Sequence, residues 1–328
     1  MTSFRVAALM AVAMSAWPLV NVAVAQPAER WPERPIRLIL VSAAGTGSDI
    51  LARTMTERLG AALKQPVVVD NRPGASGMVA TRAVLSAPPD GYTLLYSNAS
   101  STVMLAALDP KLDIDFNKEL APVAVTVVGG VLLLVHPELP ARTLAELIGL
   151  GKASPDGYTY GSWGQGSNGH LTMEWLKSKT GMKMDHVPYK AMPTMLTELT
   201  AGLIKIAWSD PVAPLPFIRS GKLRAITVNG SARAPQLPDL PTMGEQGYPF
   251  PAIGWQGVFA PAKTPAAIVD RLNTEINRIQ SDPELKALMI RNNVEAAPSW
   301  SSGRFRELLT SDLDVWKKIV QDGNIKME

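Results

Sequence analysis

Residues 36–69 read IRLILVSAAGTGSDILARTMTERLGAALKQPVVV, and this stretch decides the fold class. Ile36–Val41 is a mostly apolar run of strand length, as expected of a strand buried on both faces. Ser42–Ser48 is a loop of small residues. Asp49 is the predicted helix N-cap, and Ile50, Leu51, Met55, Leu59, Ala62 and Leu63 then recur at helical spacing. Pro66 ends that helix and Val67–Val69 is the next strand. Strand, helix and strand at this length make a βαβ unit, whose strands run parallel.

The pattern continues outward. Asn71-Arg72-Pro73-Gly74 is turn chemistry, Met78–Ser86 has helical spacing, Pro88-Pro89-Asp90-Gly91 is a turn, and Tyr92–Tyr96 is a third strand. A β-α-β-α-β order predicts an α/β fold with helices on both faces of a parallel sheet. Pro122–Val135 is a long β-branched run broken at Gly129-Gly130, and is predicted to cross as a strand between two lobes. A second α/β pattern follows. It runs through helix Leu144–Ala153, strand Tyr158–Ser162, helix His170–Lys179, strand His186–Tyr189, helix Pro193–Ala201 and strands Lys205–Trp208 and Leu223–Val228. Beyond a Pro-rich passage, strand Trp255–Phe259 precedes helices Pro265–Ser281, Pro283–Asn292 and Ser302–Asp322. These last segments are expected to pack back on the first half. The prediction is two doubly wound lobes around a cleft: lobe I from 26–123 and 251–328, lobe II from 124–250.

Composition narrows the function. Lys and Arg number 32 against 29 Asp and Glu, with no run of five like charges, so a nucleic-acid footprint is missing. Arg5 precedes an apolar stretch, and Ala23-Val24-Ala25 supplies a small-x-small cleavage pattern, which reads as a signal peptide cut after Ala25. With no cysteine in the chain, disulfides, thiolate metal sites and a lipid-modified cysteine after the leader are all excluded. The expected product is an exported, periplasmic, freely diffusing monomer.

One feature occurs twice. Ser42-Ala43-Ala44-Gly45-Thr46-Gly47-Ser48 follows the first strand, and Trp163-Gly164-Gln165-Gly166-Ser167-Asn168-Gly169 follows Tyr158–Ser162. Each lies where a parallel strand ends and a helix begins, a place where open α/β sheets bind ligands and helix amides favour anions. Neither loop has a Lys or Arg, so a carboxylate there would be held by amides and hydroxyls. A negative side chain at Gly47 is expected to abolish binding. Gly164-x-Gly166-x-x-Gly169 also fits the dinucleotide fingerprint, which would make the chain an exported oxidoreductase, but Asp185 precedes the second strand where the ribose-binding acid should follow it. Of the three histidines, His170 is the candidate for the cleft, while His136, before Pro137, reads as a surface or turn residue and His186, opening a strand, as structural. No H-x-x-x-H, G-x-S-x-G or P-loop pattern occurs, so no metal, cofactor or catalytic residue is expected.

These residues resemble a known family. Trp31-Pro-x-Arg-Pro-Ile-Arg, Gly47-Ser48-Asp49 with Ala52-Arg53, Val69-x-Asn71-Arg72-Pro73-Gly74-Ala75-x-Gly77 and Pro89-Asp90-Gly91-Tyr92-Thr93-Leu94 look like substrate-binding proteins of tripartite tricarboxylate transporters, the Bug family. So do His186-Val187-Pro188-Tyr189-Lys190, Gly221-Lys222-Leu223-Arg224-Ala225 and Trp255-x-Gly257-x-x-Ala260-Pro261. The resemblance implies a type II periplasmic-binding-protein fold that closes by a hinge on a small carboxylate (a di- or tricarboxylate, an acidic amino acid or an aromatic acid), with a membrane permease, or a sensor for orphan members, as partner. It implies ligand contacts from Ala44, Gly45, Thr46, Gly47, Ser48 and Asp49, from Ser97 and Asn98, and from Gly164, Gly166, Ser167 and His170. Tyr189 and Asp210 lie where they would face the same space. For Asp210, an N-cap role before Pro211 and pairing with a ligand ammonium both stand open. The sequence departs from the family at Thr46 and Ala191, where glycine is usual, and Trp163 is bulky for its loop.

Overall fold

The computed structural model describes residues 30–155, 157–252 and 254–326; the expected signal peptide and its expected cleavage after Ala25 lie outside them. β1 (Ile36–Leu40) buries every side chain except Arg37. α1 (Gly47–Leu63) follows, then β2 (Val67–Asn71), α2 (Met78–Leu85) and β3 (Thr93–Asn98). Both β2 and β3 pair with β1 in parallel, as the βαβ spacing requires. The cap of α1 is Thr46 rather than Asp49: Thr46 Oγ1 accepts from the Asp49 N–H at 3.3 Å. Asp49 instead reaches back to the Gly45 N–H at 3.0 Å, so the pair satisfies two donors reciprocally in the manner of a capping box.

Short helices α3 (Leu105–Leu108) and α4 (Phe116–Glu119) lead to β4 (Leu120–Gly129) and β5 (Leu132–Val135). The apolar run at 122–135 is therefore two strands in two different sheets. The second half continues through α5 (Leu144–Ala153), β6 (Tyr158–Ser162), α6 (Asn168–Thr180), β7 (Met184–Pro188), α7 (Met192–Thr200), β8 (Ile206–Ser209), α8 (Leu215–Arg219) and β9 (Arg224–Val228). The chain then returns through β10 (Gly254–Pro261), α9 (Ala266–Ser281), α10 (Pro283–Arg291), β11 (Glu295–Ala296) and α11 (Ser302–Asp322).

One sheet has the order β11-β4-β10-β3-β1-β2 and the other β7-β6-β8-β5-β9. Each sets three parallel strands beside an antiparallel strand that arrives from the other half: β10 in the first, β5 in the second. β4 pairs with β10 from Leu120 to Gly129, across two register shifts, so the chain leaves the first sheet at Gly129–Val131. The buried β-branched residues of β4 extend the ladder until the glycine pair releases it.

Glycine is needed at the crossings because two backbones touch there. A Cβ on Gly130 would fall 2.2 Å from the Gly230 amide nitrogen, and one on Gly254 2.5 Å from the Gly129 carbonyl oxygen. Asn229 ties the same point: its Oδ1 accepts from the Val131 N–H at 2.8 Å and its own N–H donates to the Val131 carbonyl at 3.1 Å. The closing helices cover the first sheet as expected, but α11 also spans to the second lobe. Its Trp316 packs on Phe250 at 5.6 Å, which meets Trp175 of α6 edge-on at 5.2 Å. Among the described residues no helix is long and apolar enough to cross a membrane.

Candidate ligand-binding site

A cavity of about 910 Å³ lies between the sheets. Its walls come from the C-terminal ends of all six parallel strands. Ser42, Ala43 and Thr46–Ser48 follow β1, Pro73–Gly77 follows β2 and Asn98–Ser100 ends β3; Trp163-Gly164, Pro188–Met192 and Asp210–Val212 stand at the ends of β6, β7 and β8. That is where the topology of an open α/β sheet leaves a crevice, here doubled face to face.

In the first loop Thr46, Gly47 and Ser48 line the cavity, while Ala44, Gly45 and Asp49 do not. Asp49 is a fastener. Its carboxylate accepts from Gly45 N–H, from Arg53 Nε at 3.0 Å and from Asn71 Nδ2 at 3.0 Å. Burial pushes its pKa up, but the bonds from Arg53, Gly45 and Asn71 outweigh this and hold it below the usual carboxylate value.

Asp210 reaches the start of α1 from the other lobe. Its Oδ1 accepts from the amides of Val212 and Ala213 at 2.8 and 2.9 Å, which ties the turn ahead of α8 but caps no helix, since α8 starts at Leu215 with Pro214 before it. The Gly47 N–H also donates to this carboxylate. Oδ2 is buried and has no partner among the described residues. Burial raises the Asp210 pKa, against the lowering effect of its three backbone donors. A Cβ on Gly47 would sit 2.4 Å from Asp210 Oδ1 and 2.9 Å from Val212 Cβ, so the lobes touch here at glycine contact distance.

The second loop is not the open amide nest that its glycines suggested. Trp163 and Gly164 line the cavity; Gly166, Ser167 and His170 stand behind its wall. Gly166 N–H donates to His170 Nδ1 at 3.1 Å, Ser167 Oγ caps α6, and Asn168 N–H donates across the cleft to Ser100 Oγ at 2.9 Å. His170 stacks on His186 at 4.2 Å, and His186 Nε2 lies 2.7 Å from Ser162 Oγ. Burial lowers the two pKa values to about 4 and about 3, so both rings are neutral near pH 7. The dinucleotide reading fails on the same geometry. The Gly166 and Asn168 amides that a pyrophosphate would need are committed to His170 and Ser100.

Asn98 and Tyr189 line the cavity; Ser97 does not, being 1% exposed in β3. Asn98 Oδ1 accepts from the Ser101 N–H at 3.0 Å, which leaves its amide group as a donor. The Tyr189 hydroxyl donates to Glu198, and burial together with that bond pushes its pKa up to about 12.

The sequence reading missed three groups. Pro73–Gly77 forms a rim in which Ala75 (φ 46°) and Ser76 (φ 52°) are left-handed, and Ser76 Oγ donates across the cleft to the Gln165 carbonyl at 3.3 Å. Its signal was available: a Pro-Gly turn directly after a parallel strand. Val127–Val131 enters the lining only because β4 ends at the crossing, which no local pattern shows. The third group is the cations. Arg233 is held by Glu245 at 2.9 Å, whereas Lys190 has no partner among the described residues. No group of acidic or histidine side chains among the described residues could hold a metal ion.

The two-lobed geometry has counterparts. The sequence pattern of the tripartite tricarboxylate transporter family receptor matches residues 51–325. The chain belongs to that family. It is 32% identical to Protein BugT of Bordetella pertussis over 92% of this chain and 93% of that one. An R. palustris protein solved with adipate superposes with a TM-score of 0.85 at 29% identity, covering 90% of this chain and 99% of the other. MatC from Rhodopseudomonas palustris, solved with bound malate, gives 0.83 at 28% identity over 88% and 100%. The receptor thus shares the type II periplasmic-binding-protein-like fold with carboxylate-bound relatives.

Proposed function

We propose that this receptor captures a small carboxylate in the interlobe cleft and hands it to the membrane permease of a tripartite transporter, with no chemistry on the ligand. The carrying observation is the cavity itself: it is enclosed by the strand ends of both lobes, and the lobes are joined by two glycine-packed crossings that can act as a hinge. The adipate- and malate-bound relatives support a carboxylate as ligand. Thr46, Gly47, Ser48, Asn98, Gly164, Tyr189 and Asp210 form the contact surface, and Asp49, Gly166, Ser167 and His170 hold the loops behind it. Lobe I comprises β1–β4 with β10, β11 and α9–α11, and lobe II the segment from Val131 to Ala252. The leader is cleaved after Ala25, and the mature monomer works in the periplasm without lipid anchor, metal or cofactor.

Thermal denaturation against a panel of carboxylic acids tests this. A true ligand at about a hundred times Kd adds roughly 2.7 kcal/mol to stability. A panel in which amides, sugars or amines raise the midpoint and no acid does would reject the reading.

A further inference from the structure

The lining of the cleft is unlike a site for a short dianion. Its walls are dominated by apolar side chains, including Val128, Val131, Trp163, Met192, Val212 and Val294. About 910 Å³ is several times the volume of a four- to six-carbon acid, and lies near the upper end of pockets that enclose bulky ligands. Charge is scarce. Arg233 is neutralised by Glu245 through a two-oxygen contact, leaving Lys190 as the one unpaired cation of the lining among the described residues. Asp210 already occupies the Gly47 amide at the head of α1, so a second ligand carboxylate there would face a buried carboxylate. Glu295 adds a further carboxylate to the lining, so among the described residues Lys190 is the one cation left to meet a ligand carboxylate, a second carboxylate has no such partner, and most of the remaining wall is apolar.

Trp163 gives that surface a direction. It follows β6 directly and is half-buried, with its ring edge 3.1 Å from where a Gly169 Cβ would lie. The indole is thus held against the start of α6 while it lines the cavity. A fixed aromatic wall loses little side-chain freedom on binding and favours offset or edge-on contact with another ring.

We propose that the cleft selects an aromatic acid with a single carboxylate, its ring packed on Trp163, over short dicarboxylates. This rests on the carboxylate reading above and narrows it. Lys190 supplies the charge that draws the carboxylate, and the valines of the crossing close over the ring.

Calorimetric titration of the purified protein with benzoate, phenylacetate and 2-naphthoate, against malate and adipate, tests it. The best aromatic acid is expected to bind at least tenfold tighter than either diacid. Trp163→Ala should weaken that acid at least tenfold more than it weakens adipate, and Trp163→Phe should recover most of the loss. Lys190→Met should weaken every acid alike. Tighter binding of malate or adipate, or an equal effect of Trp163→Ala on both classes, overturns the proposal while the carboxylate reading stands. If no acid of either class binds, the carboxylate reading itself is lost. Should Trp163→Ala fail to fold, the ranking on the unaltered protein and the Trp163→Phe titration still decide.

Discussion

Replacing Gly47 by alanine should uncouple binding from folding. Gly47 opens α1 with ordinary helical geometry, so alanine meets no backbone strain within its own lobe and improves helix propensity by up to about 1 kcal/mol. The added methyl, however, would lie 2.4 Å from Asp210 Oδ1 and 2.9 Å from Val212 Cβ, both on the opposite lobe. Ordinary contact needs almost 1 Å more, and Val212 is 7% exposed and packed among first-lobe core residues, so it has little room to yield. Relief must come from opening the cleft. Overpacking of this kind costs about 1–3 kcal/mol. If that cost falls on the closed state alone, ligand affinity drops about 5- to 150-fold, while the thermal midpoint of the free protein stays level or rises. Calorimetric titration with the tightest acid of the panel measures the first quantity, and X-ray scattering with and without that acid should show reduced ligand-driven compaction. Gly149→Ala on α5 is the control, since a Cβ there has no neighbour within 4 Å. A Kd for Gly47→Ala within threefold of the unaltered protein would refute the contact as a closure device. The negative side chain expected from sequence to block binding at Gly47 would meet the same obstacle, so alanine is the cleaner substitution.

Two further outcomes follow from other contacts. Asp312 on α11 is 5% exposed and accepts from Trp255 Nε1 at 2.8 Å, and burial lifts its pKa to about 6. The folded chain holds that proton more tightly than the unfolded one, so stability present near pH 4 is lost as pH rises through 6. The effect is at most about 3 kcal/mol, and urea midpoints of Asp312→Asn should lack this component of the pH slope. Gly130→Ala would force two backbones apart at the crossing, where its methyl falls 2.2 Å from Gly230 N. It should lower stability by about 3 kcal/mol, read as a lower denaturation midpoint by calorimetry.

Much of this protein is decided within a few residues of each position. The period of Ile50 to Leu63, the Thr143–Glu146 capping box before α5, and the Pro-Gly turns all act locally, so strands and helices fall close to where the sequence places them. The two βα loops and their places at strand ends are legible for the same reason, and the ordered motifs suffice for the family. Tertiary structure decides which amides remain available. Gly166 and Asn168 carry the right pattern for an anion nest, yet His170 and the distant Ser100 consume their donors. Asp210 reads as a cap from its neighbours, and only lobe closure brings it onto Gly47. The apolar run at 122–135 has the composition of one strand, and it is the antiparallel partners β10 and β8 that divide it between two sheets. Hydrogen-bond capacity is local, but its use depends on partners that arrive from tens of residues away once the chain has closed on itself.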